Sequence, residues 1–145
     1  MSVFTVFDVS ASGMAVQRQR IDIISENLAN VSSTRTPEGG PYKKRNVIVT
    51  SVPLSFDASL GGYLKADDVH AAAVMGVTKS TKPPKNVFDP SHPDADEKGF
   101  VAYPNINGTH EMVDMMTASR AYQANITVLN AAKAMVMRTF EIGVG

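Results

Sequence analysis

A chain of 145 residues in which 14 Lys and Arg balance 14 Asp and Glu has no formal net charge, so its overall electrostatics do not call for a polyanion such as nucleic acid. Cysteine is absent, which excludes thiol catalysis, cysteine-ligated zinc and disulfide stapling. The length suits one domain, and no stretch approaches the roughly 20 apolar residues that a membrane-spanning helix needs.

The first twenty residues, MSVFTVFDVSASGMAVQRQR, lack a basic n-region, and their apolar run is broken at Asp8, so they do not read as a cleaved secretory signal. Steps of three and four from Val3 collect Phe7, Ser10, Met14, Gln17, Ile21, Ile24, Leu28 and Val31, a mostly apolar seam with the spacing of a coiled coil. A helix is expected over residues 1–31. Val6, Val9, Gly13, Val16, Arg20 and Ile23 form a second, weaker stripe rotated around the same helix. The helix then runs into SENLANVSSTRTPEGGPYKK, where a polar end is followed at once by Pro37, Gly39, Gly40 and Pro41.

Residues 32–108 change character and are expected to form a β-rich and extended insertion. Arg45 to Val52 is short and β-branched, and Asp67 to Ser80 reads as its partner once Gly76 is allowed as a bulge. With Gly61 and Gly62 between them, the two runs suit a β-hairpin with a long connection. The segment KSTKPPKNVFDPSHPDADEKGF contains four prolines and is expected to run extended over another surface.

A second long helix is expected over residues 109–145, with Thr109 as N-cap and Glu111 and Asp114 in the first turns, where carboxylates suit the helix dipole. Met112, Met115, Ser119, Tyr122, Ile126, Leu129, Lys133, Val136 and Phe140 form its seam, and Ala121, Val128 and Met135 lie beside it. Between Met115 and Met137 the only charges are Arg120 and Lys133, far fewer than a solvated helix carries. Helices apolar on more than one face are buried from more than one side, and this chain offers only one other helix of that kind. Neighbouring subunits would have to cover the remaining faces.

Little here supports chemistry. His70, His92 and His110 lack the spacing of helical zinc ligands, and there is no G-x-S-x-G elbow or glycine-rich phosphate loop. The acidic run from Asp89 to Glu97, with Asp94 and Asp96 ahead of Gly99, is the one alternative site: a small calcium- or metal-binding module. It lacks the terminal bidentate glutamate, because the twelfth position counted from Asp94 is Asn105. The basic clusters Lys43, Lys44, Arg45 and Lys79, Lys82, Lys85 lack the interleaved aromatics of a nucleic-acid surface. Of the three Asn-x-Ser/Thr triplets, at Asn30, Asn107 and Asn125, the last falls inside the expected second helix, so chance accounts for them best.

The polar helix end resembles the amino-terminal signature of bacterial flagellar axial proteins, carried by Asn27, Leu28, Ala29, Asn30 and Thr34. VFDPSHPDADEKGFVAYPNIN, followed by EMVDMMTASRAYQANITVLNAAKAMVMRTFEIG, narrows the likeness to flagellar basal-body rod proteins of the small proximal C type. Glu26, where a small or polar residue is common, and the tail Val144–Gly145 are the departures. The resemblance implies a mainly α fold with a small β insertion, its terminal helices packed as an antiparallel coiled-coil pair. It implies a non-enzymatic subunit of the periplasmic rod that needs no cofactor, metal or small-molecule substrate. Its partners would be other copies of itself, other rod proteins and the flagellar export apparatus through which it passes without a cleaved signal. The assembly seam on this reading is Phe7, Met14, Ile21, Ile24 and Leu28 with Met112, Met115, Tyr122, Ile126, Leu129, Val136 and Phe140. The asparagines near Asn30 would end the first helix by adopting the left-handed conformation and satisfying loose backbone groups.

Overall fold

A computed structural model describes residues 3–54 and 69–143. Two long helices carry two small antiparallel hairpins between them: α1 (Val3–Ala29), β1 (Arg45–Pro53), β2 (His70–Lys79), β3 (Lys85–Phe88), β4 (Phe100–Tyr103) and α2 (Gly108–Gly143). At 1.5 Å per residue α1 is about 40 Å long and α2 about 54 Å.

The helices run in opposite senses. Asn27 near the end of α1 meets Glu111 in the first turns of α2, and Gly13 in mid-α1 meets Asn125 in mid-α2. The same register puts Val3 level with Met135, so α2 continues for about 12 Å past the described start of α1. Among the described residues those last turns have no helix to lie against.

The β1–β2 hairpin covers a second side of α1, which packs on both strands. The Ala72 N–H donates to Ser12 Oγ at 3.3 Å, and one turn along the same face Val16 is buried. The second stripe of α1 is therefore covered by its own chain at Val16 and half-covered along most of its length, while Val9 stays exposed. The expectation that one partner helix would leave it bare overlooked the hairpin. The register of β1 on β2 shifts between Ile48 and Val49, where Gly76 and Val74 are the successive partners, so Met75 is the extra residue of the bulge and Gly76 its neighbour. The connection carrying Gly61 and Gly62 lies outside the described residues.

A second hairpin departs from the expected extended segment. Lys85–Phe88 pairs with Phe100–Tyr103, so the chain past Pro84 does form a strand; its four residues begin just after the last Pro of the pair, where no ladder N–H is lost. Phe88 and Phe100 stack edge to face at 5.3 Å between centroids. Gly99 closes the turn at φ 79°, and a Cβ there would stand 3.0 Å from the Phe88 ring and 3.2 Å from Pro90, so position and conformation both require glycine.

Candidate assembly surface

The polar end of α1 is the best-connected point of the chain. Asn27 is 1 % exposed, and its amide uses its full hydrogen-bonding capacity. Nδ2 donates to the Arg45 carbonyl at 2.9 Å and to Glu111 Oε2 at 3.1 Å, while Oδ1 accepts from the Arg45 N–H at 2.9 Å and the Tyr42 hydroxyl at 3.2 Å. Glu111, also 1 % exposed, takes the Lys44 ammonium on its other oxygen. One asparagine thus joins the end of α1, the start of β1 and the start of α2. Burial raises the pKa of the Tyr42 phenol, with the nearby Glu26 carboxylate adding to it. Glu26 itself holds Arg45 through both carboxylate oxygens, at 2.7 and 2.8 Å.

The rest of the signature shapes the exit from α1. Asn30 Nδ2 donates to the Glu26 carbonyl at 2.9 Å, and Oδ1 accepts from the Ser33 hydroxyl at 3.0 Å. Among the described residues no non-glycine has a positive φ, so Asn30 ends the helix through its side chain rather than by turning left-handed. Leu28 is half-buried and Ala29 exposed. The Thr34 hydroxyl donates to Asp94 Oδ2 at 2.8 Å, which ties this loop to the acidic turn of the second hairpin.

That contact bears on the metal-binding alternative. Asp89 Oδ1 accepts from the Ser91 hydroxyl and N–H, which hold its carboxyl below the usual range. Asp96 Oδ1 accepts from the N–H groups of Lys98 and Phe100. Asp94 serves Thr34, with Arg35 at 4.0 Å. The acidic run is a set of turn-forming hydrogen bonds rather than a converging ligand sphere, and no cluster of three or more potential metal ligands occurs among the described residues.

The second helix begins one residue earlier than its expected cap. Asn107 Oδ1 accepts from the N–H groups of Thr109 and His110, at 3.0 and 3.2 Å, so Asn107 and not Thr109 is the N-cap. Along α2 the buried residues are Glu111, Ala118 and Ala132. The seam read from sequence lies to one side of that line and splits with distance from it. Met115, Tyr122, Leu129 and Val136, next to the row, are half-buried, whereas Met112, Ile126 and Phe140, one step farther round, are exposed. On α1, Ile24 is buried and Phe7, Met14, Ile21 and Leu28 are half-buried.

What remains is a long bare face. Met112, Val113, Met116, Ile126, Val128, Met135, Met137, Phe140 and Ile142 all stand open to solvent, with Phe140 67 % and Ile142 82 % exposed. So many exposed large apolar side chains, at the start of α2 and again from Ile126 to Ile142, exceed scattered surface exposure and make this helix the candidate contact surface. Sequence periodicity located the apolar positions of α2 but missed the partnership of Glu111 with Asn27 and Lys44. Its only trace is one carboxylate at the head of the Ala118, Asn125, Ala132 row.

Both ends of the chain match family models: residues 7–35 match that of the flagella basal body rod protein, and residues 97–142 that of the flagellar basal body rod FlgEFG protein C-terminal region. Full-length relatives agree with them. The flagellar basal-body rod protein FlgC of Borreliella burgdorferi is 42 % identical over 142 residues, 93 % of each chain. That of Escherichia coli O6:H1 is 39 % identical over 145 residues, and that of Bacillus subtilis 37 % over 150, each covering 99 % of both chains. With a saturated polar junction in place of a reaction centre and an apolar face in place of a substrate cleft, the chain belongs to the FlgC family of flagellar basal-body rod proteins, structural subunits rather than enzymes.

Proposed function

We propose that this subunit builds the wall of the rod by laying the outer face of α2 against neighbouring subunits, with α1 and α2 acting together as a coiled-coil unit. The observation that carries this reading is the exposed apolar side chains of α2, Met112, Val113 and Met116 in its first turns and Ile126 to Ile142 farther along, on a helix that also lies on α1. Such a face is satisfied only by another molecule, and a face that meets a different surface on its neighbour generates an open helical stack rather than a closed ring. The neighbours are further copies of this chain and other rod proteins. The stack surrounds the export channel in the periplasm and transmits torque through packing alone. The chain reaches that position through the flagellar export apparatus, without a cleaved signal.

The experiment is a charge placed on the bare face. Phe140→Asp and Ile126→Asp, separately, are expected to leave the dilute chain folded and to abolish its incorporation into rods, scored by swimming of a strain carrying only the variant. Full motility with both variants would overturn the reading.

A further inference from the structure

Away from the junction, the two helices give each other little reason to stop at one place along their common axis. The residues that α2 turns toward α1 recur every seven positions as Glu111, Ala118, Asn125 and Ala132, flanked by the heptad of half-buried Met115, Tyr122, Leu129 and Val136. Gly13 approaches so closely that a Cβ on it would stand 2.9 Å from Asn125 Nδ2. A slip by one heptad would set Asn27 against Ala118 and Gly13 against Ala132, placing alanines where Glu111 and Asn125 stood and keeping an apolar flank. What a slip cannot supply is Asn27 as the partner of Glu111: in this direction Glu111 passes to the level of Thr34, and in the opposite one to the level of Arg20. In the observed register its two oxygens take the Asn27 amide and the Lys44 ammonium, in a place 1 % exposed. In any slipped register that carboxylate and the Asn27 amide lose each other.

We propose that the Asn27–Glu111–Lys44 cluster is the register-setting device of the helix pair, with Glu111 its positioning residue. A buried polar pair among otherwise interchangeable heptads selects one alignment, because every other separates the Asn27 amide from the Glu111 carboxylate. The cluster sits at one end of α2, so it fixes the axial position of the whole bare face, including the turns that run past α1. This role concerns the isolated chain and does not depend on what the bare face docks on.

The absence of cysteine makes the register directly measurable. Nitroxide labels at Arg18→Cys and Ala134→Cys, both exposed positions, report the axial offset of the helices by electron–electron double resonance, with unlabelled chain added to suppress distances between molecules. The parent chain is expected to give one distance. Glu111→Leu is expected to keep its far-UV helical signal but to add a second population, displaced axially by about 10 Å for each heptad of slip. Glu111→Gln, whose amide oxygen still accepts from Asn27, is expected to restore the single distance. A single, parent-like distance in Glu111→Leu would overturn the proposal. So would loss of helix in both Glu111→Leu and the smaller Glu111→Ala, because a device that only selects register leaves helical folding intact.

Discussion

The two helices carry the same kind of sequence and meet different fates. Both have a main apolar seam and a second stripe beside it, yet α1 buries Val16 and Ile24, while α2 buries Ala118 and Ala132, half-buries Met115, Tyr122, Leu129 and Val136, and leaves Met112, Met135 and Phe140 exposed. The difference follows from chain order. The loop after α1 folds back so that β1 and β2 lie on α1, whereas among the described residues neither hairpin packs substantially on α2. A two-striped helix in the middle of a fold becomes core, and the same pattern at its margin becomes an interface. On the proposed function, stability of the single chain and assembly of many chains fall to different helices.

The sharpest way to break that contrast is to place the same charge on the second stripe of each helix. Val16→Asp puts a carboxylate where 4 % of the residue is exposed, and is expected to cost about 3 kcal/mol or more and unfold the dilute chain, read by urea denaturation. Met135→Asp, at a position 63 % exposed, is expected to change that stability by no more than about 0.5 kcal/mol while preventing rod incorporation. If both variants unfold the chain equally, α2 has no free face and the contrast fails.

A smaller effect distinguishes two neighbouring positions at one end of the helix pair. Asn27→Leu leaves the buried Glu111 oxygen and the Arg45 N–H without their partner, and at about 1 to 3 kcal/mol for each unsatisfied group it is expected to lower the thermal midpoint by several degrees or more. The nearby Ala29→Leu, at an exposed position, should leave it in place. Equal midpoints for the two variants would show that the polar junction adds nothing to the fold.

The smallest effect lies at mid-helix. Gly13→Ala is expected to be near neutral, because the helix-propensity gain of about 1 kcal/mol is offset as the Asn125 amide is forced to swing aside. In an Asn125→Ala background the same change should stabilise by about that amount. Additivity of the two substitutions in thermal unfolding would mean that Gly13 and Asn125 are not in contact.

Much of this architecture could be read directly. The helix spans follow from a period that no turn residue interrupts, and the first hairpin follows from β-branched runs in Arg45–Val52 and before Lys79. The second hairpin was hidden because its strands are four residues long and one follows a Pro pair, too short for alternation to register. Asn107 as cap was hidden for a different reason: Asn107 and Thr109 are both good caps, and only the geometry of the turn chooses between them.

By itself, then, the sequence determined which segments are helical and that their apolar surface exceeds what one helix pair can bury, because periodicity and side-chain chemistry are local properties. It also carried the signature Asn27 to Asn30 without revealing its use. Which stripe is covered, which is bare, and why that asparagine is needed were decided only in three dimensions. Asn27 finds Arg45 eighteen residues away and Glu111 eighty-four away, and Val16 finds its cover in a hairpin that lies beyond the polar loop. Partnership over such separations depends on how the chain returns upon itself, and no local pattern encodes that return.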